Sequence, residues 1–132
     1  MDNLNLNLRE IKDTVELRLR YEDDDSYMGI TLQVKGPDSP EYIAMERKNL
    51  NERSERYIKG KKITAEIQER QLVELLQACI VDWTIEAPAL AEGAEPPACN
   101  KKNKLLLLEN REIREQLNEF VGQRRNFRDD AD

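Results

Sequence analysis

Two segments near the start of the chain alternate between apolar and polar residues with a period of two. Residues 14–21 (TVELRLRY) and residues 29–34 (GITLQV) each place every second side chain on one apolar face. The apolar positions are Val15, Leu17, Leu19 and Tyr21 in the first segment and Ile30, Leu32 and Val34 in the second. This period is typical of half-buried β-strands, and the connection between them is short. We therefore predict an antiparallel β-hairpin of residues 14–21 and 29–35.

Three longer segments repeat apolar residues with the period of an α-helix. We predict helices over residues 40–59, 65–83 and 111–125. Residues 105–108 are expected to form a single short helical turn, with a transient strand as the alternative. The expected N-cap residues are Ser39, Thr64 and Asn110. The middle helix has the widest apolar face, and we assign that face to the core. It is formed by Leu72, Leu75, Leu76, Cys79, Ile80 and Trp83.

These elements predict an α+β fold that is mainly α-helical, with the N-terminal hairpin packed on a small bundle of three to four helices. The length of 132 residues is that of one domain, and we predict a single domain over residues 1–132. Residues 86–100 contain three of the five prolines and are expected to form an irregular loop. Residues 1–12 and 128–132 are expected to be flexible.

Two apolar stripes are candidates for binding a partner. Ile43, Leu50 and Tyr57 recur at a spacing of seven on the first helix, which is too thin a stripe for a helix docked deep in its own core. The last helix carries a second face, formed by Ile113, Leu117, Phe120 and Val121. The same spacing is also typical of a helix that faces its own core, so this face has two interpretations.

Composition excludes several kinds of chemistry. Histidine is absent, which excludes Ser-His-Asp and Cys-His catalysis and imidazole metal sites. The two cysteines cannot provide a four-ligand zinc site. The acidic run Glu22–Asp25 does not match a calcium loop, because Met28 stands where such a loop needs glycine. We predict a protein that is not an enzyme and needs neither metal nor cofactor.

Charge and hydropathy limit the possible partners. The net charge of −6 disfavours nucleic acid and anionic lipid, and no apolar run is long enough to cross a membrane. The charge is arranged in blocks: residues 1–46 carry −6, residues 47–62 carry +5 and residues 63–99 carry −6. Such blocks favour weak head-to-tail self-association that salt would weaken.

The order and wording of the segments resemble the tail assembly chaperone family of bacteriophages with long, non-contractile tails. The resemblance covers about residues 10–127 and is strongest over residues 29–42, 74–83 and 111–127. It is carried by DTVELRLRY, by GITLQV running into KGPDSPEY, by GKKITAE, by LLQACIVDW and by REIREQLNEFVGQRRNF. The family has no residue-level functional motif, so no site residue is carried over.

The resemblance implies a non-enzymatic protein that binds the tape-measure protein, keeps it soluble and promotes polymerisation of the tail-tube protein around it. It also implies that the chain acts in the host cytoplasm and is absent from the mature virion. An alternative hypothesis is a small acidic phage-encoded inhibitor of a host enzyme or defence complex, because acidity can mimic nucleic acid. A hydrolase that uses paired carboxylates is a third, disfavoured hypothesis, since no pair of acids stands out.

Overall fold

The fold is α+β and mainly α-helical, as predicted. A computed structural model describes residues 4–128. Three strands form one antiparallel sheet in the order β1-β2-β3: β1 Val15–Arg20, β2 Tyr27–Val34 and β3 Ile80–Ile85. Four helices accompany the sheet: α1 Pro40–Ile58, α2 Ala65–Cys79, α3 Lys101–Leu107 and α4 Arg111–Val121. A short 3-10 turn, Arg124–Phe127, follows α4.

The predicted hairpin is confirmed, except that Tyr21 lies beyond the end of β1 and is 42% exposed. β1 and β2 pair antiparallel, with Leu17 opposite Leu32 and Val15 opposite Val34. Leu32 and Val34 are fully buried, whereas the alternate residues of β1, such as Glu16 and Arg18, are exposed. The hairpin thus presents one apolar face to the helices, which is what the period-two pattern indicated.

The predicted helix over residues 65–83 is wrong in its last turn. α2 ends at Cys79, and the chain continues without a loop into β3, which pairs antiparallel with β2. A helix here would have left one edge of the buried strand β2 without hydrogen-bond partners. The sequence of β3, IVDWTI, is rich in β-branched and aromatic residues that suit a strand. Trp83 therefore lies opposite Leu32 on a strand rather than on the core face of a helix.

The assignment of this apolar face to the core is confirmed in part. Leu76, Cys79 and Ile80 are buried, Leu72 and Trp83 are half-buried and pack against the edge of the core, and Leu75 is half-buried. The remaining buried apolar residues come from the sheet and from the C-terminal third of the chain. They include Leu19, Met28, Leu32, Val34, Leu108, Ile113, Leu117, Val121 and Phe127.

The predicted N-caps are confirmed. Ser39 Oγ accepts from the Tyr42 N–H at 3.3 Å, and Thr64 and Asn110 make the same contact at the starts of α2 and α4. α1 ends within one residue of its predicted boundary, whereas α4 ends at Val121 and gives way to the 3-10 turn. The short turn predicted at residues 105–108 belongs to a longer helix, α3, which Asn100 caps.

The ends of the described chain lie close together. Ile11 and Arg128 form an isolated antiparallel bridge, and the Lys12 N–H donates to the Phe127 carbonyl at 2.6 Å. Phe127 is buried against Gly36, so the C-terminal turn belongs to the core. Of the segments predicted to be flexible, residues 1–3 and 129–132 lie outside the described residues.

The proline-rich segment of residues 86–100 contains neither helix nor strand, in agreement with the predicted irregular loop. It is nevertheless attached to the sheet at both ends. The Glu86 N–H donates to the Gly29 carbonyl at 2.8 Å, and the Trp83 indole N–H donates to the Pro97 carbonyl at 2.9 Å. These two bonds hold the loop along β2 and β3.

Candidate interaction surfaces

The apolar face of α4 belongs to the core of this chain, which corrects its prediction as a partner-binding site. Ile113, Leu117 and Val121 are at most 5% exposed. Phe120 is half-buried and meets Phe127 edge to face, with ring centroids 5.4 Å apart. The physical reason is that α4 packs on β1 and α2, which need an apolar cover for the sheet. Of the two interpretations of this face, the core-facing one is therefore correct.

The stripe on α1 divides into a covered and an uncovered part. Ile43, near the start of the helix, is half-buried, and its role in binding a partner stays a prediction. Leu50 is 51% exposed and Tyr57 is 83% exposed. The C-terminal half of the stripe thus remains available to a partner, but its exposed apolar residues are separated by charged ones.

The interface between α1 and α2 is held by polar side chains that the apolar pattern did not indicate. Gln71 is buried, and its Nε2 donates to the Asn49 carbonyl while its Oε1 accepts from Arg53 Nε at 2.6 Å. Beside it, Arg70 forms an ion pair with Glu52, and this bond holds the pKa of Glu52 below its ordinary value. No sequence signal separates these polar residues from the many exposed ones on the same helices.

An apolar groove runs between α2 and α3. Its floor is formed by Val73, Leu105 and Leu106, and its rim by Lys101, Lys102 and Glu109. Leu106 is 54% exposed although it stands in the middle of a run of four leucines. We call these six residues the α2–α3 groove. The sequence signal for it was the leucine run, which is longer than a seven-residue helix can bury on one side.

The connection between α1 and α2 forms an exposed basic tip, which we define as residues 56–63. It carries four cationic residues and no acidic one. Arg56 closes the turn by donating from Nε and Nη2 to the Lys62 carbonyl at 3.1 and 2.9 Å. Next to it, Tyr57 and Ile58 are 83% and 81% exposed. The tip therefore combines uncovered apolar surface with positive charge.

An acidic groove lies between the β1–β2 connection and α4. It contains the exposed ring of Tyr21, and we define it by that residue and its carboxylates, Glu22, Asp23, Asp25, Glu112, Glu115 and Glu119. Arg20 and Arg111 also line it, so the negative charges are in excess.

Side chains of α4 hold the acidic groove in shape. Glu112 accepts from the Glu22 N–H at 2.6 Å. Gln116 accepts from the Arg20 N–H at 3.0 Å and donates to the Arg20 carbonyl at 2.6 Å. These bonds fix the strand end against the helix, so the carboxylates of both elements face the same opening. The pattern of apolar residues gave no signal that the two elements meet here.

One carboxylate of the acidic run, that of Asp24, is hydrogen-bonded within its own loop. Asp24 accepts from the hydroxyl and the backbone N–H of Ser26 at 2.6 and 3.0 Å, and these bonds lower the pKa of Asp24. Within residues 4–128, no group of three or more Cys, Asp or Glu side chains is placed to hold a metal ion. The helices of the same stretch are all too short or too polar to cross a membrane.

The three surfaces have a common chemistry that suits contact with other proteins. The α2–α3 groove offers apolar area with cations at its rim, the basic tip offers apolar area among lysines, and the acidic groove offers a ring among carboxylates. Such mixed surfaces favour reversible association.

In comparisons with models of known protein families, with curated proteins and with solved structures, the chain matches none.

Proposed function

We propose that this protein is a non-enzymatic tail assembly chaperone of a long-tailed bacteriophage. In this proposal it binds the tape-measure protein in the host cytoplasm, keeps it soluble and promotes polymerisation of the tail-tube protein around it. The protein also associates weakly with itself and leaves before the virion is complete. The resemblance of residues 10–127 to that family supports the assignment.

The observation that carries the proposal is the α2–α3 groove. A tape-measure protein is a long helical rod, and an amphipathic helix binds by laying its apolar face into a groove of this kind. Leu106 and the half-buried Val73 and Leu105 offer the apolar floor. Lys101, Lys102 and Glu109 also line the groove and offer charges of both signs to the polar flanks of a bound helix.

The experiment is co-expression with fragments of a tape-measure protein from the same phage. We expect a fragment that is insoluble alone to become soluble and to co-purify with this chain. Leu106→Glu places a charge on the groove floor and should abolish co-purification, because the charge cannot be desolvated against an apolar helix face. Leu106 is 54% exposed, so the variant is expected to fold.

Leu50→Glu is the matched control. Leu50 is 51% exposed on α1, outside the groove, and receives the same substitution. This variant should keep the fragment soluble. A loss of binding in Leu50→Glu with full binding in Leu106→Glu would move the site to α1, and no solubilisation by the unmodified chain would contradict the chaperone proposal.

The acidic groove favours the inhibitor hypothesis as a second candidate. A concave surface with excess carboxylates can occupy a site that normally holds a nucleic-acid backbone. The gene neighbourhood separates the two functions: a tail-tube gene before and a very long helical gene after this one favour the chaperone. Capture of a host nucleic-acid enzyme, lost when the groove carboxylates are replaced, would favour the inhibitor.

A further inference from the structure

The basic tip carries the two most exposed large apolar side chains of the described residues. Tyr57 and Ile58 are each more than four-fifths exposed, and they adjoin Lys59, Lys61 and Lys62. Among the described residues, none of these three lysines forms an ion pair. Isolated apolar residues on a surface are common, but two adjacent ones among unpaired cations form a patch that suits an acidic partner.

The acidic groove of the same molecule has the complementary composition. Its carboxylates surround the ring of Tyr21, which is 42% exposed. Glu112 holds the Glu22 backbone, whereas the side chain of Glu119 forms no hydrogen bond or ion pair with any described residue. The groove therefore offers unused negative charge beside an aromatic ring, on which a cation or a second apolar side chain can pack.

We propose that the basic tip of one copy of this chain docks into the acidic groove of a second copy. Tyr57 and Ile58 then pack on Tyr21, and Lys59, Lys61 and Lys62 face the carboxylates of α4 and of the β1–β2 connection. The proposed function includes weak self-association, and the docking named here gives the two surfaces that meet in it. It rests on that self-association alone and not on binding of the tape-measure protein. The second copy is the proposed occupant because the two surfaces are opposite in charge and each holds exposed apolar or aromatic side chains.

The contact is heterologous, because it joins two different surfaces. In a docked pair, one copy still presents a free groove and the other a free tip, so further copies can add head to tail into a ring or an open chain. A tip of eight residues buries less area than a standard stable interface. The association is therefore weak, depends on protein concentration and decreases with salt.

The test is sedimentation of the purified chain across a range of concentrations, without any tape-measure fragment. At about 20 mM salt the mean mass should rise with concentration, and at about 0.5 M salt it should fall towards the monomer because the Debye length shortens. The tip variant Lys61→Glu/Lys62→Glu should lower the association constant at least ~10-fold. The groove variant Glu115→Lys/Glu119→Lys should lower it as much. It leaves Glu112 and Gln116 in place, so the groove keeps its shape.

Two further variants separate specific docking from general charge repulsion. The chain that combines all four substitutions has the same net charge as the unmodified protein, −6, and should regain association, because its tip and groove are again opposite in sign. Arg47→Glu/Lys48→Glu makes the same charge change as the tip variant on α1 outside the tip, and should change the association constant less than ~3-fold.

The groove variant is less negative overall than the unmodified chain, so mere repulsion predicts that it associates more strongly. That result, or failure of the combined variant to associate, would overturn the proposal. A strict monomer at every concentration in low salt would overturn it too. None of these outcomes bears on binding of the tape-measure protein, which the Leu106→Glu experiment tests separately.

Discussion

Gln71 and Asn49 exchange hydrogen bonds from side chain to backbone across the interface of α1 and α2. Asn49 Nδ2 donates to the Gln71 carbonyl at 3.1 Å, and Gln71 Nε2 donates to the Asn49 carbonyl at 3.3 Å. Both residues are buried, and the exchange fixes the register of one helix on the other. The pair is unequal, however, because Asn49 Oδ1 has no hydrogen-bond partner whereas every polar atom of the Gln71 carboxamide is used.

Because of this inequality, we expect two substitutions of a carboxamide by an apolar side chain to lower the free energy of unfolding by different amounts. Gln71→Met removes three hydrogen bonds and should lower the free energy of unfolding by about 1–3 kcal/mol. Asn49→Leu removes one hydrogen bond together with the unpaired oxygen, so it should lower the free energy of unfolding by less. Urea unfolding of both variants measures the two changes, and a larger loss for Asn49→Leu would contradict the assignment.

Leu76 is expected to contribute strongly to stability. It is 1% exposed at the centre of the core, so Leu76→Ala should lower the free energy of unfolding by about 2–5 kcal/mol. Leu50→Ala makes the same truncation at a residue that is 51% exposed and should cost less than about 0.5 kcal/mol. Equal losses in denaturant unfolding would mean that α2 does not face the core.

The sequence was sufficient to predict the hairpin, three of the helices and their caps, because each has its own local signal. It was insufficient at β3, where two periods coincide. The helical spacing of α2 continues through Cys79, Ile80 and Trp83. The segment Ile80–Ile85 also has the β-branched and aromatic composition that is typical of a strand. No glycine or proline separates the two elements. The choice is made by the free edge of β2, which is a tertiary effect that a local pattern does not contain.

The candidate surfaces were predictable only in part, for a related reason. The exposure of Tyr57 follows from its thin stripe, but the burial of Ile113 and Leu117 depends on the sheet that α4 covers. Charge blocks along the sequence indicated that opposite charges would meet. They did not indicate that Glu112 lies against Glu22, 90 residues away, to form a groove.

Gly29 is expected to tolerate no side chain. Its φ of +95° is unfavourable for other residues, and an added Cβ would lie 2.7 Å from the Ala89 nitrogen in the loop that covers β2. Gly29→Ala should therefore cost about 2–5 kcal/mol, from backbone strain and from displacement of the loop.

Gly93→Ala provides the comparison for this prediction. Gly93 has a similar φ of +79°, but an added Cβ would meet nothing within 4 Å. Only the backbone strain remains, so Gly93→Ala should lower the free energy of unfolding by about 1–2 kcal/mol. Thermal or urea unfolding of the two variants separates strain from crowding, and equal costs would show that the loop does not press on Gly29.

Because Cys79 is buried, we expect the stability of the protein to fall as pH rises through the alkaline range. Burial, with a smaller effect of Glu41, raises the pKa of this thiol from 9.0 to about 12. Between these values the unfolded chain loses the proton while the folded chain keeps it, so stability is present below pH 9 and is lost as pH rises. The advantage of the unmodified protein over Cys79→Ala should shrink by about 1.4 kcal/mol between about pH 8 and about pH 10.

Chemical labelling provides an independent check on the same thiol. A thiol reagent near neutral pH should modify Cys99, which is half-buried, before Cys79, which should react only on unfolding. Variants with a single cysteine, Cys79→Ala and Cys99→Ala, assign each rate. Fast labelling of Cys79 in the folded protein would contradict its burial.

Gln116 covers one end of the edge strand β1. Its carboxamide bonds to both the N–H and the carbonyl of Arg20, as a peptide group on an adjacent strand would. β1 is an edge strand, and such edges are where stray chains add and fibrils begin. A single side chain from α4 occupies the position of the next strand at this end of β1. The chain thus blocks, with a side chain of its own, the addition of a further strand at this end of the sheet.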